Sequence, residues 1–167
     1  EMMNVAKQYE VGEISTQKFV HFFEKEFNIN SDELIKAWNA ILLDFPLHRL
    51  QFLKDLAATK KYRLFLLSNT NELHISWIQN NWGMKLYNEF KDCYEQFYLS
   101  HEIGFRKPNA DIYEFVLQEN GLKADETFFI DDTEENTIAA EKLGIKAWNI
   151  IPGKEDVVDL LTKKEFN

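Results

Sequence analysis

The sequence predicts an α/β fold, a doubly wound parallel sheet preceded by helices that form part of a cap. Three observations carry this. Short, near-continuous apolar runs recur through the last two thirds of the chain, each followed by a stretch with helical periodicity. The first third holds helical periodicity alone. Polar, chemistry-bearing residues fall where apolar runs end, the position at which open parallel sheets bind ligands.

The elements follow in order. From Ser15 to Phe27, apolar residues recur at three- and four-residue spacings behind a hydroxyl cap. Asn28-Ile29-Asn30-Ser31 breaks that pattern, and Asn30 or Ser31 caps a second helix with Leu34, Trp38, Ile41 and Leu42 on one face. Pro46 interrupts, and Leu47 to Ala58 forms a third. The run from Arg63 to Ser68 is a strand, followed by a helix over about Asn71 to Trp82. Gln96 to Ser100 is a second strand, Asn109 to Glu119 a helix, Thr127 to Asp131 a third strand. Glu134 to Leu143 is a helix ended by Gly144, Lys146 to Ile150 a fourth strand, and a terminal helix starts near Glu155. Strands alternating with helices place an α/β core over residues 47–167, and residues 1–46 read as a partial helical cap.

Composition narrows the function classes. With 167 residues, 45% of them hydrophobic and 14% aromatic, the chain has material for a packed core. Its net charge of -9 argues against broad nucleic-acid binding, which needs a cationic face, and against anionic membrane surfaces. It does not argue against a small phosphorylated substrate, because a metal ion can reverse the field within one pocket. Cys93 is the only cysteine, so no internal disulfide forms and a cytoplasmic location is expected. Its neighbours Asp92 and Glu95 disfavour a thiolate, so Cys93 reads as a packing residue. No apolar run approaches a membrane span, and no signal peptide is visible. The chain opens Glu1-Met2-Met3, so residues 1–167 are expected to begin partway into a longer polypeptide.

Three features bear on chemistry. Ser68, at a strand end before a helix, can donate to a phosphate oxygen alongside the backbone amides of the turn; the plain alternative is a helix cap made by Asn69 or Thr70. Lys107 lies in the loop Gly104-Phe105-Arg106-Lys107-Pro108, where an ammonium can balance phosphate and carboxylate charge; the alternative is a solvated surface lysine. Asp131 and Asp132 close an apolar strand, and adjacent carboxylates there suit magnesium, which takes one or two carboxylates plus waters and phosphate oxygens; the alternative is a turn in which Asp132 caps the next helix. A hydroxyl, a lysine and two acids at one edge of one sheet form a set suited to phosphoryl transfer.

The order Leu-Leu-Ser-Asn-Thr at 66–70, Arg-Lys-Pro-Asn at 106–109 and Phe-Ile-Asp-Asp at 129–132 resembles motifs two, three and four of the haloacid dehalogenase-like (HAD) hydrolases. Ser100 to Gly104, Asp111 to Tyr113 and Asn136 to Gly144 agree with it, and the likeness runs from about Tyr9 to Ile151. It lies closest to the branch with a small helical cap, which includes sugar-phosphate phosphatases. The resemblance implies a magnesium-dependent phosphate-monoester hydrolase acting on a small phosphorylated metabolite. It implies that Ser68 and the backbone amide of Asn69 hold the transferring phosphoryl group, and that Lys107 stabilises that group and the nucleophile. Asp132 would ligate Mg2+ directly, with Asp131 ligating it or acting through water. The family's first motif, Asp-x-Asp at the end of a central first strand, has no counterpart anywhere in the sequence. The nucleophile and that strand, which would lie between the strands ending at Ser68 and Asp131, are therefore expected on an upstream segment, and the chain alone is expected to be inactive.

Two other readings stay open: a catalytically inactive relative that binds a phosphorylated ligand or partner, and a metal-independent 2-haloacid dehalogenase. The paired acids count against the latter, because unneutralised carboxylates would oppose a carboxylate nucleophile. His21, His48, His74 and His101 lack zinc-ligand spacing and read as packing or surface. Phe19, Phe22, Phe23 and Phe27 read as packing between cap and core.

Overall fold

A computed structural model of the chain describes residues 1–164 and Phe166. Packing divides it into two compact units, Glu1–Gly104 and Phe105–Asn167. In the first unit, helices α1 (Met2–Glu10), α2 (Thr16–Phe27), α3 (Ser31–Asn39) and α4 (Leu47–Ala58) precede strand β1 (Phe65–Ser68). Helices α5 (Glu72–Trp82) and α6 (Met84–Lys91), strand β2 (Gln96–Leu99) and the one-turn helix α7 (Ser100–Ile103) complete it. The second unit holds α8 (Ala110–Glu119), a 3-10 turn (Ala124–Glu126), β3 (Phe128–Asp131), α9 (Glu134–Lys142), β4 (Lys146–Asn149) and a 3-10 helix (Val157–Thr162).

Local chemistry explains these boundaries. Ser15 Oγ accepts from Lys18 N at 3.3 Å and starts α2, which stops at Asn28 in the left-handed region, φ 51°. Asn30, rather than Ser31, caps α3 by accepting from Glu33 N at 3.0 Å. That helix ends at Asn39, so Ile41 never joins its apolar face and is 72% exposed. The terminal helix expected near Glu155 is instead a 3-10 helix begun by Asp156, whose carboxylate accepts from Val158 N. Helices α1, α6 and α7 lie outside the elements that the sequence predicts.

The core of the first unit is aromatic. Phe19 is wholly buried, stacked on Tyr9 at 4.3 Å and met edge-on by Trp38 at 4.6 Å. Phe23 and Leu34 are buried beside it, with Leu73 of α5 packed against the cluster, while Phe27, 54% exposed, stacks on Phe23 from the rim at 5.9 Å. Burying a Phe side chain stabilises by about 1.5–3 kcal/mol, so Phe19 is a principal anchor of α2. Phe45 stacks on Trp82 at 4.3 Å, which spends it on packing.

The strands are parallel within each unit. β1 pairs with β2, Ser68 opposite Leu99, and β3 pairs with β4, Asp131 opposite Asn149. Hydrogen bonding thus yields two two-stranded sheets where one continuous sheet is predicted, because no described strand joins them. The first element is the helix α1. Among the described residues no helix is long and apolar enough to cross a membrane.

Candidate active site

The first unit supplies the Ser68 loop. Asn71, 1% exposed, accepts from His74 N at 3.1 Å and caps α5. Neither Asn69 nor Thr70 is needed as a cap, and the backbone of Thr70 has a partner of its own. That partner is Ser100, fully buried at the end of β2. Thr70 N donates to Ser100 Oγ at 2.9 Å, and the same hydroxyl donates back to Thr70 O at 3.0 Å. His74 is buried: Asn71 Nδ2 lies 3.2 Å from its Nδ1, and its Nε2 lies 3.2 Å from Trp38 O. Burial holds the His74 imidazole below its usual pKa, and the Trp38 carbonyl works the other way.

The second unit supplies the lysine and the acids. Lys107 is 8% exposed, not a solvated surface residue, and its ammonium lies 2.6 Å from Asp131 Oδ2. The ammonium also stands 5.6 Å from the centre of the Phe129 ring. Asp131 Oδ1 accepts from Thr133 N at 2.8 Å and from Asn136 Nδ2 at 3.0 Å. Tyr113 Oη donates to Asn136 O at 2.8 Å, and Asn149 Nδ2 donates to Asp131 O at 3.2 Å. Burial alone would raise the Asp131 pKa; the Lys107 charge and hydrogen bond, with Asn136 and the Thr133 amide, outweigh it and hold the carboxyl below its usual range. Asp132 is exposed and caps nothing, since the capping position before α9 is Thr133 and no side-chain cap is made there.

The two acids thus differ in their surroundings. Asp131 has both oxygens filled by protein donors, and Asp132 is the carboxylate turned to an exposed position. Among the described residues no group of three or more His, Cys, Asp or Glu is arranged to hold an ion. Magnesium does not need one, since it keeps waters and substrate oxygens around one or two carboxylates, and Asp132 fits that donor set.

Of the predicted site residues, the structure brings Lys107 and Asp131 into contact and sets Asp132 next to them. Ser68 and Asn69 belong to the first unit, both half-buried at the end of β1. Ser100 and Asn136 escaped notice as site residues. Each does have a sequence signal: a serine closing a strand run, and an amide five residues beyond the first acid.

The pattern of haloacid dehalogenase-like hydrolases matches residues 2–150, and the chain belongs to that family. It is 28% identical over 120 residues to D-ribitol-5-phosphate phosphatase of Bacteroides thetaiotaomicron, covering 72% of this chain and 57% of that protein. It is 34% identical over 96 residues to the GMP/IMP nucleotidase of Escherichia coli, covering 57% of this chain and 40% of the nucleotidase. The chain therefore spans little more than half the length of the first of these relatives and less of the second. Among solved structures it superposes on a HAD family enzyme of B. thetaiotaomicron in its magnesium complex, with TM-score 0.85 and 33% identity over 95% of this chain and 80% of that one. The same enzyme with magnesium and inorganic phosphate, as a point mutant, gives TM-score 0.83 and 34% identity over 93% and 77%.

Proposed function

We propose that the whole protein is a magnesium-dependent phosphatase of small phosphorylated metabolites, sugar or polyol phosphates among them. The observation that carries this is the Lys107–Asp131 pair: a buried ammonium held 2.6 Å from a carboxylate that three donors keep ionised, beside an exposed second acid. Such a pair presents a fixed positive charge where phosphoryl oxygens gather negative charge. In this reading Ser68 and the Asn69 amide hold the phosphoryl group, and Lys107 stabilises it. Asp131 fixes the position of Lys107, and Asp132 ligates the metal directly. Bound Mg2+ would neutralise phosphate charge and orient the ester for in-line attack. The attacking carboxylate is assigned to an Asp outside residues 1–167, because the sequence holds no Asp-x-Asp, and the product of attack is an aspartyl phosphate that water then hydrolyses. Residues 1–46 act as part of the cap and 47–167 as most of the core. A single cysteine supports a reducing, cytoplasmic compartment.

The relatives support the reaction class: one is a polyol-phosphate phosphatase and another a nucleotidase. Against a dehalogenase, Lys107 neutralises Asp131, so the argument from unneutralised acid rests on Asp132 alone. The test is phosphate release by the full-length protein from a panel of sugar, polyol and nucleoside monophosphates. Release abolished by chelator and restored by Mg2+ is the expected result. Halide release from 2-haloacids that ignores chelator would establish the dehalogenase, and no turnover from a folded protein would establish an inactive relative.

A further inference from the structure

Asn71 and His74, at the start of α5, are 1% and 7% exposed, so their polar atoms must find partners within the protein. Their hydrogen bonds identify each other's atoms. A backbone N–H only donates, so the Asn71 atom 3.1 Å from His74 N is the amide oxygen, and the Trp38 indole Nε1–H reaches that same oxygen at 3.4 Å. The amide nitrogen is therefore the atom that faces His74 Nδ1 at 3.2 Å. That nitrogen only donates, so Nδ1 carries no proton. The neutral ring holds its proton on Nε2, which donates to Trp38 O at 3.2 Å. One ring and one amide thus join the start of α5 to the end of α3, and the ring stacks on the Trp38 indole at 5.6 Å.

A charged ring does not fit this arrangement. With protons on both nitrogens, Nδ1–H would point at the Asn71 amide N–H, donor against donor in a buried setting. Turning the amide over gives the ring an oxygen, but it sets the amide nitrogen against His74 N–H and the Trp38 indole. Helix α5 is then uncapped and the indole has lost its acceptor. Flipping the ring alters nothing, because both of its nitrogens now donate. No placement of the two side chains satisfies every donor at once.

The surroundings of the ring push in both directions. Among the described residues the charge that bears on it is that of Glu10, at the end of α1, which favours protonation. The Trp38 carbonyl and the face of the Trp38 indole favour it too. The groups that α3 and α5 set against the ring, Trp38 and Asn71, do not titrate between pH 5 and 8. Burial outweighs the groups that favour a cation and keeps the ring below its ordinary 6.5. It is neutral at pH 7 and gains its second proton only in acid.

We infer that His74 and Asn71 form a pH-sensitive switch where α3 meets the start of α5. With the ring neutral, Asn71 caps α5 and holds the Trp38 indole; with the ring charged, Asn71 turns its oxygen to the ring and lets both go. The switch stands apart from the phosphatase reading, since no substrate takes part in it. In the full-length protein, the His74 ring and Trp38 indole resonances and the exchange of the His74 backbone amide are followed by NMR from pH 8 to pH 5. The ring should titrate with a midpoint below 6.5, and the indole should move with that same midpoint. Protection of the amide, corrected for intrinsic exchange, should fall about fivefold, the scale of one helix cap. Asn71→Asp offers one oxygen to the charged ring and another to His74 N and Trp38 Nε1. Its ring midpoint should therefore rise above 6.5 while its indole stays still. His74→Gln can still donate to the Trp38 carbonyl and does not titrate, so its indole should stay still as well. A wild-type ring that stays neutral to pH 5, an indole unmoved while the ring titrates, or an indole that moves equally in His74→Gln overturns the inference. Should neither variant fold, the wild type decides alone: coincident midpoints of ring, indole and amide support the switch, and separate midpoints overturn it.

Discussion

Lys107 Nζ and Asp131 Oδ2 stand 2.6 Å apart with 9% and 7% of their side chains exposed, so each is the other's counter-ion in a dry setting. Removing one partner leaves a buried charge without compensation, and such losses run to about 3–5 kcal/mol. Lys107→Met is therefore expected to lower the urea midpoint sharply, with the slope of the transition unchanged. The exposed neighbour is the control: Asp132→Asn should move stability by no more than about 0.5 kcal/mol. Equal effects from the two substitutions would sink this account of the pair.

The same pair sets a pH dependence. The folded Asp131 pKa lies below its ordinary 3.8, so ionisation favours the folded state above that value. Its contribution is complete at neutral pH and is lost as pH falls from about 4 through the lower folded value. Urea unfolding across this acid range should show the wild type losing stability more steeply than Asp131→Asn. Parallel curves would mean that Asp131 is not the group responsible.

Asp132 carries the metal claim. Mg2+ should raise the melting temperature of the full-length protein by mass action, since it binds only the folded site. Asp132→Asn should abolish most of that rise, while Asp131→Asn lowers the starting temperature instead. A Mg2+ response that survives in Asp132→Asn would move the ligand role elsewhere.

Cys93 is expected to be quiet. Burial pushes its thiol up, nearby Lys54 offsets part of that, and the Sγ sits 3.2 Å from Glu89 O. Iodoacetamide at neutral pH should label it slowly in the native protein and at the rate of a free thiol in urea. Rapid native labelling would refute the packing role.

How much of this was legible in the sequence depends on what held each residue in place. The ends of β1 and β3 could be read because Ser68 and Asp131 each close a run of apolar residues, a signal that lies within one element. The α6 helix, whose Leu86, Tyr87 and Phe90 do recur at three- and four-residue spacings, is hidden because Gly83 directly before it reads as the end of the preceding helix rather than the start of another. The caps are readable to a residue or two: α5 is capped by Asn71, whose Oδ1 accepts from His74 N, and not by Asn69 or Thr70. The acids were visible as a pair. Which one faces inward was not, since that depends on Lys107, Thr133 and Asn136 converging from three places in the chain. The sequence presents His101 as packing or surface, and the close approach of its carbonyl oxygen to Gly12 joins residues too far apart in sequence to be read locally.

The Ser100 hydroxyl, by taking a hydrogen bond from Thr70 N and giving one to Thr70 O, acts as a rivet between the connections that leave β1 and β2. Riveted pieces have one freedom of movement between them instead of two. A shift in the turn that bears His101 and Glu102 is thereby passed on to the turn that bears Ser68 and Asn69. A substitution that displaces the start of α7 therefore also strains the loop after β1 unless Ser100 is replaced as well, so the two turns are constrained to change together.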